Sequence, residues 1–266
     1  MRLNANTLKL VAIIAMTVDH IAWLTWPGLN PDPGAITLHF LGRFTAPIMW
    51  FFIAEGLYHS RDRWRYFGRL AAFALISHFA FGFAFGADPA AINGTSVMFP
   101  LAMSVLLYQL LDLVQSKLVQ TLLVVAFCLI CFPADFSCVA LMAPIYISRR
   151  QGDRDAQLRT MTVWILIYVA VYVFLVDLRY GLVQLGLLMP VFALQWYNGE
   201  RGPQTWLTKW GFYPWPAFPS SAPPLRWRGT LGQPKAGGLF FNQSKFWLDN
   251  GAAAWYTRGV NQSRRI

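Results

Sequence analysis

Residues 8–26 read LKLVAIIAMTVDHIAWLTW, an apolar run that carries Lys9 near its start and the pair Asp19-His20 deep inside it. A membrane-spanning helix needs about 20 mostly apolar residues. Ionisable side chains within such a segment are costly and suggest a functional site. The run therefore predicts a transmembrane helix and directs attention to the chemistry of its polar residues.

The composition of the whole chain supports a polytopic membrane protein. Of its 266 residues, 56% are hydrophobic and 13% are charged, against about 25% charged in soluble domains. The first run is too long for a signal peptide and lacks a small-residue cleavage site, so we expect it to be retained. The net charge of +10 comes mostly from short loops between apolar runs, so we expect no nucleic-acid partner.

Eight apolar runs predict an all-α bundle of about eight transmembrane helices. They are residues 8–26, 40–58, 70–85, 97–114, 118–132, 138–147, 161–176 and 182–197. The sixth run is the weakest, and residues 118–147 could alternatively form a re-entrant pair. We expect residues 1–210 to form the transmembrane domain. Six prolines interrupt residues 211–266, which predicts a poorly ordered or interfacial tail.

The charges of the loops predict the orientation of the bundle. One set of alternate loops carries many basic residues, namely Arg2, Arg61, Arg63, Arg65, Arg69, Lys117, Arg149, Arg150, Arg154, Arg159, Arg201 and Lys209. The other set carries a single basic residue, Arg179. By the positive-inside rule the N-terminus is cytoplasmic, and eight crossings return the chain to the cytoplasm.

Lys9 and His20 are eleven residues apart, about three helical turns and roughly 16 Å of rise. Both side chains therefore point the same way, one at the edge of the membrane and one buried. This suits a donor such as a coenzyme A thioester, whose phosphates stay outside while its acyl arm reaches in. His20 would then act as a general base. Alternatively, Lys9 snorkels to the interface and His20 is hydrogen-bonded within the bundle.

Asp19 faces about 100° away from His20 on the same helix, so the two cannot form a dyad, and the partner of His20 stays open. Arg43 starts the second predicted span from the same side of the membrane, at a similar depth. We expect either a structural ion pair between Asp19 and Arg43 or a role for Arg43 in stabilising the oxyanion of an acyl-transfer intermediate.

A second set of polar residues surrounds the end of the second predicted span. It comprises Glu55, His59, Arg61, Arg63, Arg65 and Arg69. Arginine is the preferred side chain for phosphate recognition, so this set predicts a site for a nucleotide-like cofactor. The alternative is an ordinary positive-inside anchor.

The remaining histidines and the cysteines predict no metal site. Cys128, Cys131 and Cys138 lie within or beside apolar segments, so we expect them to pack rather than to bind zinc or form disulfides. His39 and His78 lie at a span edge and on an apolar helix, where a structural histidine is expected.

Several short motifs, taken in order, resemble the TraX family of bacterial membrane proteins. They are residues 8–9 (LK), 18–20 (VDH), 42–47 (GRFTAP), 54–59 (AEGLYH), Tyr66 with 69–70 (RL), 134–136 (ADF) and 197–202 (YNGERG). Together they extend from residue 8 to about residue 213. Each motif is short, but their joint order is specific.

The resemblance implies an inner-membrane acetyltransferase that uses acetyl-CoA, because a named member of the family acetylates the N-terminus of conjugative pilin. It also implies kinship with the membrane acyltransferase-3 group, whose first helix carries a basic residue, ten intervening residues and a histidine. Lys9 and His20 fit that spacing. The implied partners are membrane lipid and either a pilin-like acceptor protein or an envelope glycan.

In this interpretation His20 is the general base, and Asp19 with Arg43 shapes the acyl site. Lys9 and the set from Glu55 to Arg69 hold the donor, and no metal is required.

The resemblance ends before the end of the chain. Members of the family continue with another hydrophobic span, whereas here the match stops at residues 209–213 (KWGFY) and PWP follows. Either the chain has diverged at its end or the tail is out of frame. A lost span would leave a non-catalytic membrane component.

A proton-coupled transporter or flippase is the other class of function considered, with Asp19, His20, Arg43 and Glu55 lining a path through the membrane. Unbroken helices and the absence of evident inverted repeats would argue against it.

Overall fold

The computed structural model describes residues 3–26, 30–85 and 95–203, which form helices and no strand. The predicted all-α fold is confirmed. The helices are α1 (Ala5–Thr25), α2 (Pro33–Gly42), α3 (Thr45–His59), α4 (Arg63–Phe85), α5 (Met98–Leu113), α6 (Lys117–Cys131), α7 (Ser137–Ser148), α8 (Arg154–Leu175), α9 (Leu178–Val183) and α10 (Met189–Gln195), with a 3₁₀ turn, Gln184–Leu188, between the last two. The predicted tail, residues 211–266, lies outside the described residues.

Among the described residues, five helical segments are long and apolar enough to cross a membrane. They are Ala5–Thr25, Pro33–His59, Arg63–Phe83, Arg154–Leu175 and Leu178–Gln195. Helices α5, α6 and α7 are apolar but shorter. Together these eight segments follow the eight predicted runs in order, and the chain is a membrane protein.

Three segments begin seven residues before their apolar runs, because an aspartate caps the first turn of each. Helices α2, α4 and α8 begin at residues 33, 63 and 154 rather than at 40, 70 and 161. The carboxylates of Asp32, Asp62 and Asp153 accept hydrogen bonds from backbone N–H groups of these first turns, as N-cap residues do. Arg63 and Arg65 therefore lie on α4, and their predicted place in a loop is wrong.

The second segment is broken between α2 and α3. Helix α2 ends at Gly42 and α3 begins at Thr45. Pro47 has no N–H to donate to the carbonyl of Arg43, so a continuous helix would lose a hydrogen bond there and its ring would crowd that carbonyl. The eighth segment also departs from α-helical geometry, at the turn 184–188. The expectation of unbroken helices is therefore wrong.

Helix α3 lies at the centre of the bundle. Residues 45–57 are all buried, and the helix packs against α1, α5, α7 and α10. A helix that is apolar all round lies either in a protein core or in lipid, and here neighbouring helices cover it. The core around it includes Trp50, Phe51 and Phe52, all fully buried.

Candidate active site

Asp19 joins the first two segments through two charge-assisted hydrogen bonds. Its Oδ1 accepts one from Nδ1 of His39 at 2.9 Å and one from Nη2 of Arg43 at 3.0 Å. The predicted ion pair between Asp19 and Arg43 is confirmed. His39 is fully buried. The sequence predicts a structural role for this histidine but not its hydrogen bond to Asp19. Such bonds are about twice as strong as neutral ones.

The guanidinium of Arg43 is held from three directions at the break between α2 and α3. Besides Asp19, its Nε donates to the carbonyl of His39 at 3.1 Å and its Nη1 donates to Oε1 of Gln184 at 3.2 Å. Gln184 lies in the 3₁₀ turn 184–188. The side chain of Arg43 therefore connects the break between α2 and α3 to this turn. A guanidinium carries five N–H donors. Two of them remain without a protein acceptor among the described residues, and Arg43 lines a cavity.

Two glycines allow this close packing. A Cβ on Gly42 would lie 2.6 Å from Oδ1 of Asp19, and a Cβ on Gly186 would lie 2.9 Å from the carbonyl oxygen of Phe40 and 3.2 Å from Cβ of Arg43. Any side chain at Gly42 would therefore push α1 away from α2. One at Gly186 would displace the turn that holds Gln184.

The tautomer of His20 follows from its hydrogen bond within α1. Its Nδ1 lies 2.7 Å from the carbonyl oxygen of Met16. A carbonyl oxygen can only accept, so Nδ1 carries the hydrogen, and in the neutral ring Nε2 is the basic nitrogen. The ring of Phe81 on α4 meets the imidazole edge-on, with 6.2 Å between centroids. One partner of His20, which the sequence left open, is thus the backbone of α1 itself.

A cavity of about 510 Å³ brings the predicted catalytic residues together. Asp19, His20 and Arg43 all line it, and its volume is within the usual range of small-molecule sites. Helix α1 packs against α2 and α3, whereas α4 packs against α5, and the cavity lies between α1 and α4. Its lining on α4 extends from Leu70 to Phe81, roughly 16 Å along the helix axis.

A second carboxylate in the cavity was given no role by the sequence. Asp135 lines it from the turn before α7, in the ADF motif. Its N–H donates to the carbonyl of Thr95, and its Oδ1 accepts from the N–H of Phe136 at 3.0 Å. The side chain is exposed to the cavity, but the surrounding protein desolvates it. This raises the pKa of the carboxyl, while the charge of Arg43 acts in the opposite direction.

The backbone beside Asp135 is strained. Phe136 and Ser137 have φ of 56° and 46°, in the left-handed region that non-glycine residues rarely adopt. Phe136 is held there by stacking on Tyr168, with 4.8 Å between centroids. Such strain persists only where the surroundings impose it, and it is concentrated at functional sites.

The residues predicted to bind the donor lie outside this cavity. Lys9 is buried, with its Nζ 5.1 Å from the centre of the Phe52 ring. Glu55 is also buried; its Oε2 lies 3.4 Å from Nε2 of His59, and its Oε1 accepts from Gln157 at 3.4 Å. Lys9 therefore does not snorkel, and its side chain is part of the core around α3.

The arginines at the start of α4 are only partly available for phosphate. Arg61 and Arg63 line an open depression of about 420 Å³ that also contains Asp62 and Asp112. Arg63 donates to Asp112 at 2.8 Å, and Arg65 pairs with Asp62 at 3.0 Å. The charged residues that line the depression are two arginines and two aspartates, whose formal charges sum to zero, so it is less cationic than the sequence suggested.

Two more arginines lie over aromatic rings. The guanidinium of Arg69 is 5.9 Å from the Tyr66 ring centre. Arg154, predicted to lie in a loop, is on α8 with its guanidinium 5.3 Å from the ring of Phe51 and 4.9 Å from that of Tyr197. Such contacts contribute about 0.5–2 kcal/mol and position both arginines without a carboxylate partner.

Comparison with known proteins agrees with the motifs. The sequence model of the TraX protein family matches residues 4–216, a range that contains every cavity residue named above, and this confirms the resemblance. A probable fimbrial assembly protein FimC, serogroup H1, from Dichelobacter nodosus is 27% identical over 212 residues, which cover 75% of this chain and 86% of that protein. No solved structure is significantly similar to the chain.

Proposed function

Because the chain belongs to the TraX family, we propose that it is a multi-pass acetyltransferase of the bacterial inner membrane, with its N-terminus in the cytoplasm. It moves the acetyl group of acetyl-CoA to an amine or hydroxyl of an envelope acceptor. The name of the fimbrial relative supports a pilin-like protein as that acceptor, and an envelope glycan is the other candidate.

The observation that carries the proposal is the tautomer of His20 inside the cavity. With Nδ1 donating to the backbone, Nε2 is the nitrogen that can take a proton, and histidine is the side chain that most often acts as a general base in enzymes. The buried guanidinium of Arg43 lines the same cavity. A general base and a preorganised cation in one apolar cavity are what acyl transfer requires.

The reaction follows from these two groups. The acceptor nucleophile attacks the thioester carbonyl while Nε2 of His20 takes its proton. The oxyanion that forms is stabilised by the two N–H donors of Arg43 for which the described residues provide no acceptor. The carbon–sulfur bond then breaks, and the protonated His20 delivers its proton to the leaving thiolate. Asp19 keeps Arg43 in place through the 3.0 Å ion pair.

The donor's route is supported by the shape of the cavity. Its lining on α4 begins at Leu70, directly after Arg69 and near the arginines of the first turn of α4. Phosphates bound at Arg61 and Arg63 would leave the thioester arm to extend along α4 toward His20. Phosphate must then compete with Asp112 for Arg63.

The test compares two histidine variants of the purified full-length chain. His20→Gln should lower the transfer of labelled acetyl from acetyl-CoA to membranes of a strain lacking the gene by about 10²–10⁴-fold. His78→Gln is the matched control, because His78 lies on α4 but does not line the cavity, and it should retain activity. Equal rates for His20→Gln and the wild type, or a wild type that transfers no label, would refute the proposal.

The two broken segments favour a transporter or flippase as the second candidate. Interrupted helices that meet at a charged site inside the membrane are typical of secondary transporters, and here both interruptions meet at Arg43. Thermal unfolding with and without acetyl-CoA separates the two functions. A ligand at 100 times its Kd stabilises the folded state by about 2.7 kcal/mol, whereas a transporter of another substrate would show no shift.

A further inference from the structure

The cavity contains one carboxylate whose charge is balanced by protein and one whose charge is not. Asp19 accepts from both Arg43 and His39. Asp135 accepts only the N–H of its neighbour Phe136, and no cation among the described residues forms an ion pair with it. With His20 neutral, the side chains lining the cavity sum to one negative charge. A carboxylate without an ion-pair partner on the wall of a mostly apolar cavity favours a positively charged ligand.

We propose that Asp135 binds the ammonium group of the acceptor and takes its first proton, so that the cavity accepts amines in preference to hydroxyls. The inference rests on the proposed acetyltransferase function and assigns a role to a residue that the mechanism above leaves unused.

The proton balance of amide formation requires two bases. An ammonium must lose one proton before its nitrogen can attack and a second when the tetrahedral intermediate collapses to the amide. Asp135 accepts the first proton, and Nε2 of His20 accepts the second and passes it to the thiolate. The overall reaction converts R–NH₃⁺ and acetyl-CoA to the N-acetyl amine, free coenzyme A and one proton, which Asp135 releases. A hydroxyl has a single proton to lose, and His20 alone would suffice for it.

The backbone of the turn holds Asp135 at the cavity wall. The hydrogen bond from its N–H to the carbonyl of Thr95 and the left-handed conformations of Phe136 and Ser137 set its direction. The titratable groups that face it are Asp19 and His20 on α1, Arg43 at the break between α2 and α3, and Tyr168 on α8. The structure thus combines a fixed carboxylate with a base on the opposite helix.

The test uses two probe acceptors with the same chain, dodecylamine and dodecanol, and the full-length protein in liposomes. The wild type should acetylate the amine faster than the alcohol. Asp135→Asn should lower kcat/KM for the amine by about 10²-fold and leave the slow reaction with the alcohol within a factor of about three. Its rate with the amine should rise tenfold per pH unit below the pKa of the amine, because the variant can use only the neutral form.

Two further variants separate this role from a structural one. Asp135→Glu keeps the carboxylate and should recover part of the rate with the amine, and Asp155→Asn, an exposed aspartate on α8, should behave as the wild type. Equal losses with both acceptors and an unchanged pH profile in Asp135→Asn would overturn the inference. So would equal rates of the wild type with both acceptors. Transfer to neither acceptor would refute the proposed function and this role with it.

Discussion

Replacing Gly42 by alanine tests the close contact on which the site depends. The added Cβ would lie 2.6 Å from Oδ1 of Asp19, less than any unstrained contact. That oxygen accepts the hydrogen bonds from His39 and Arg43. Either α1 moves away from α2 or the carboxylate turns away from both partners, and in both cases the guanidinium of Arg43 loses its anchor.

The expected cost can be worked from these contacts. Overpacking a buried site costs about 1–3 kcal/mol, and loss of one hydrogen bond to a charged group costs about 1.5–3 kcal/mol. The helix itself is more stable with alanine than with glycine, but only by about 0.5–1 kcal/mol, so this gain offsets only part of the cost. The net destabilisation is about 2 kcal/mol or more, which lowers the melting temperature of a protein of this size by roughly 4–8 °C.

Thermal unfolding of the detergent-purified protein, followed by tryptophan fluorescence, measures the effect. Gly68→Ala is the matched control, because Gly68 lies on the exposed face of α4 with nothing within 4 Å of an added Cβ. It should be neutral or stabilise by about 0.5–1 kcal/mol. A Gly42→Ala variant that melts with or above the wild type would show that α1 and α2 do not approach each other in this way.

Two further predictions concern the arginines. Arg43→Lys should lower kcat by about 10²-fold with little change in KM. The reason is that a single ammonium cannot reach Asp19, Gln184 and the oxyanion together. An unchanged kcat would contradict the role of the guanidinium. Asp112→Asn breaks the exposed pair with Arg63 and should change stability by less than about 0.5 kcal/mol. At low salt it should lower KM for acetyl-CoA by freeing Arg63 for phosphate, and a raised KM would place the donor elsewhere.

Sequence reasoning succeeded where the physical signal is local along the chain. The apolar runs predict the eight segments in order, because a helix in lipid requires a mostly apolar stretch. The depth of Asp19 and Arg43 in neighbouring segments was enough to predict their pair. Apolar runs do not mark the starts of α2, α4 and α8, because the polar first turns of these helices lie outside the runs. The local signal for each start is the N-capping aspartate, at Asp32, Asp62 and Asp153.

Other features of the site depend on contacts between residues far apart in the chain. The bond from Arg43 to Gln184 spans 141 positions, and no local pattern identifies such a partner. Asp135 reaches the cavity through the strained turn at Phe136 and its hydrogen bond to Thr95, neither of which has a periodic signature.

The first apolar run by itself determined that Lys9 and His20 lie on the same face of a helix, because helical periodicity is a property of the chain. Only the tertiary structure decided what each of them meets. Lys9 packs on Phe52 in the core, while His20 opens onto a cavity that exists because α4 packs on α5 and leaves a gap beside α1. A cavity is a property of how helices pack, so no single helix carries the information that specifies it.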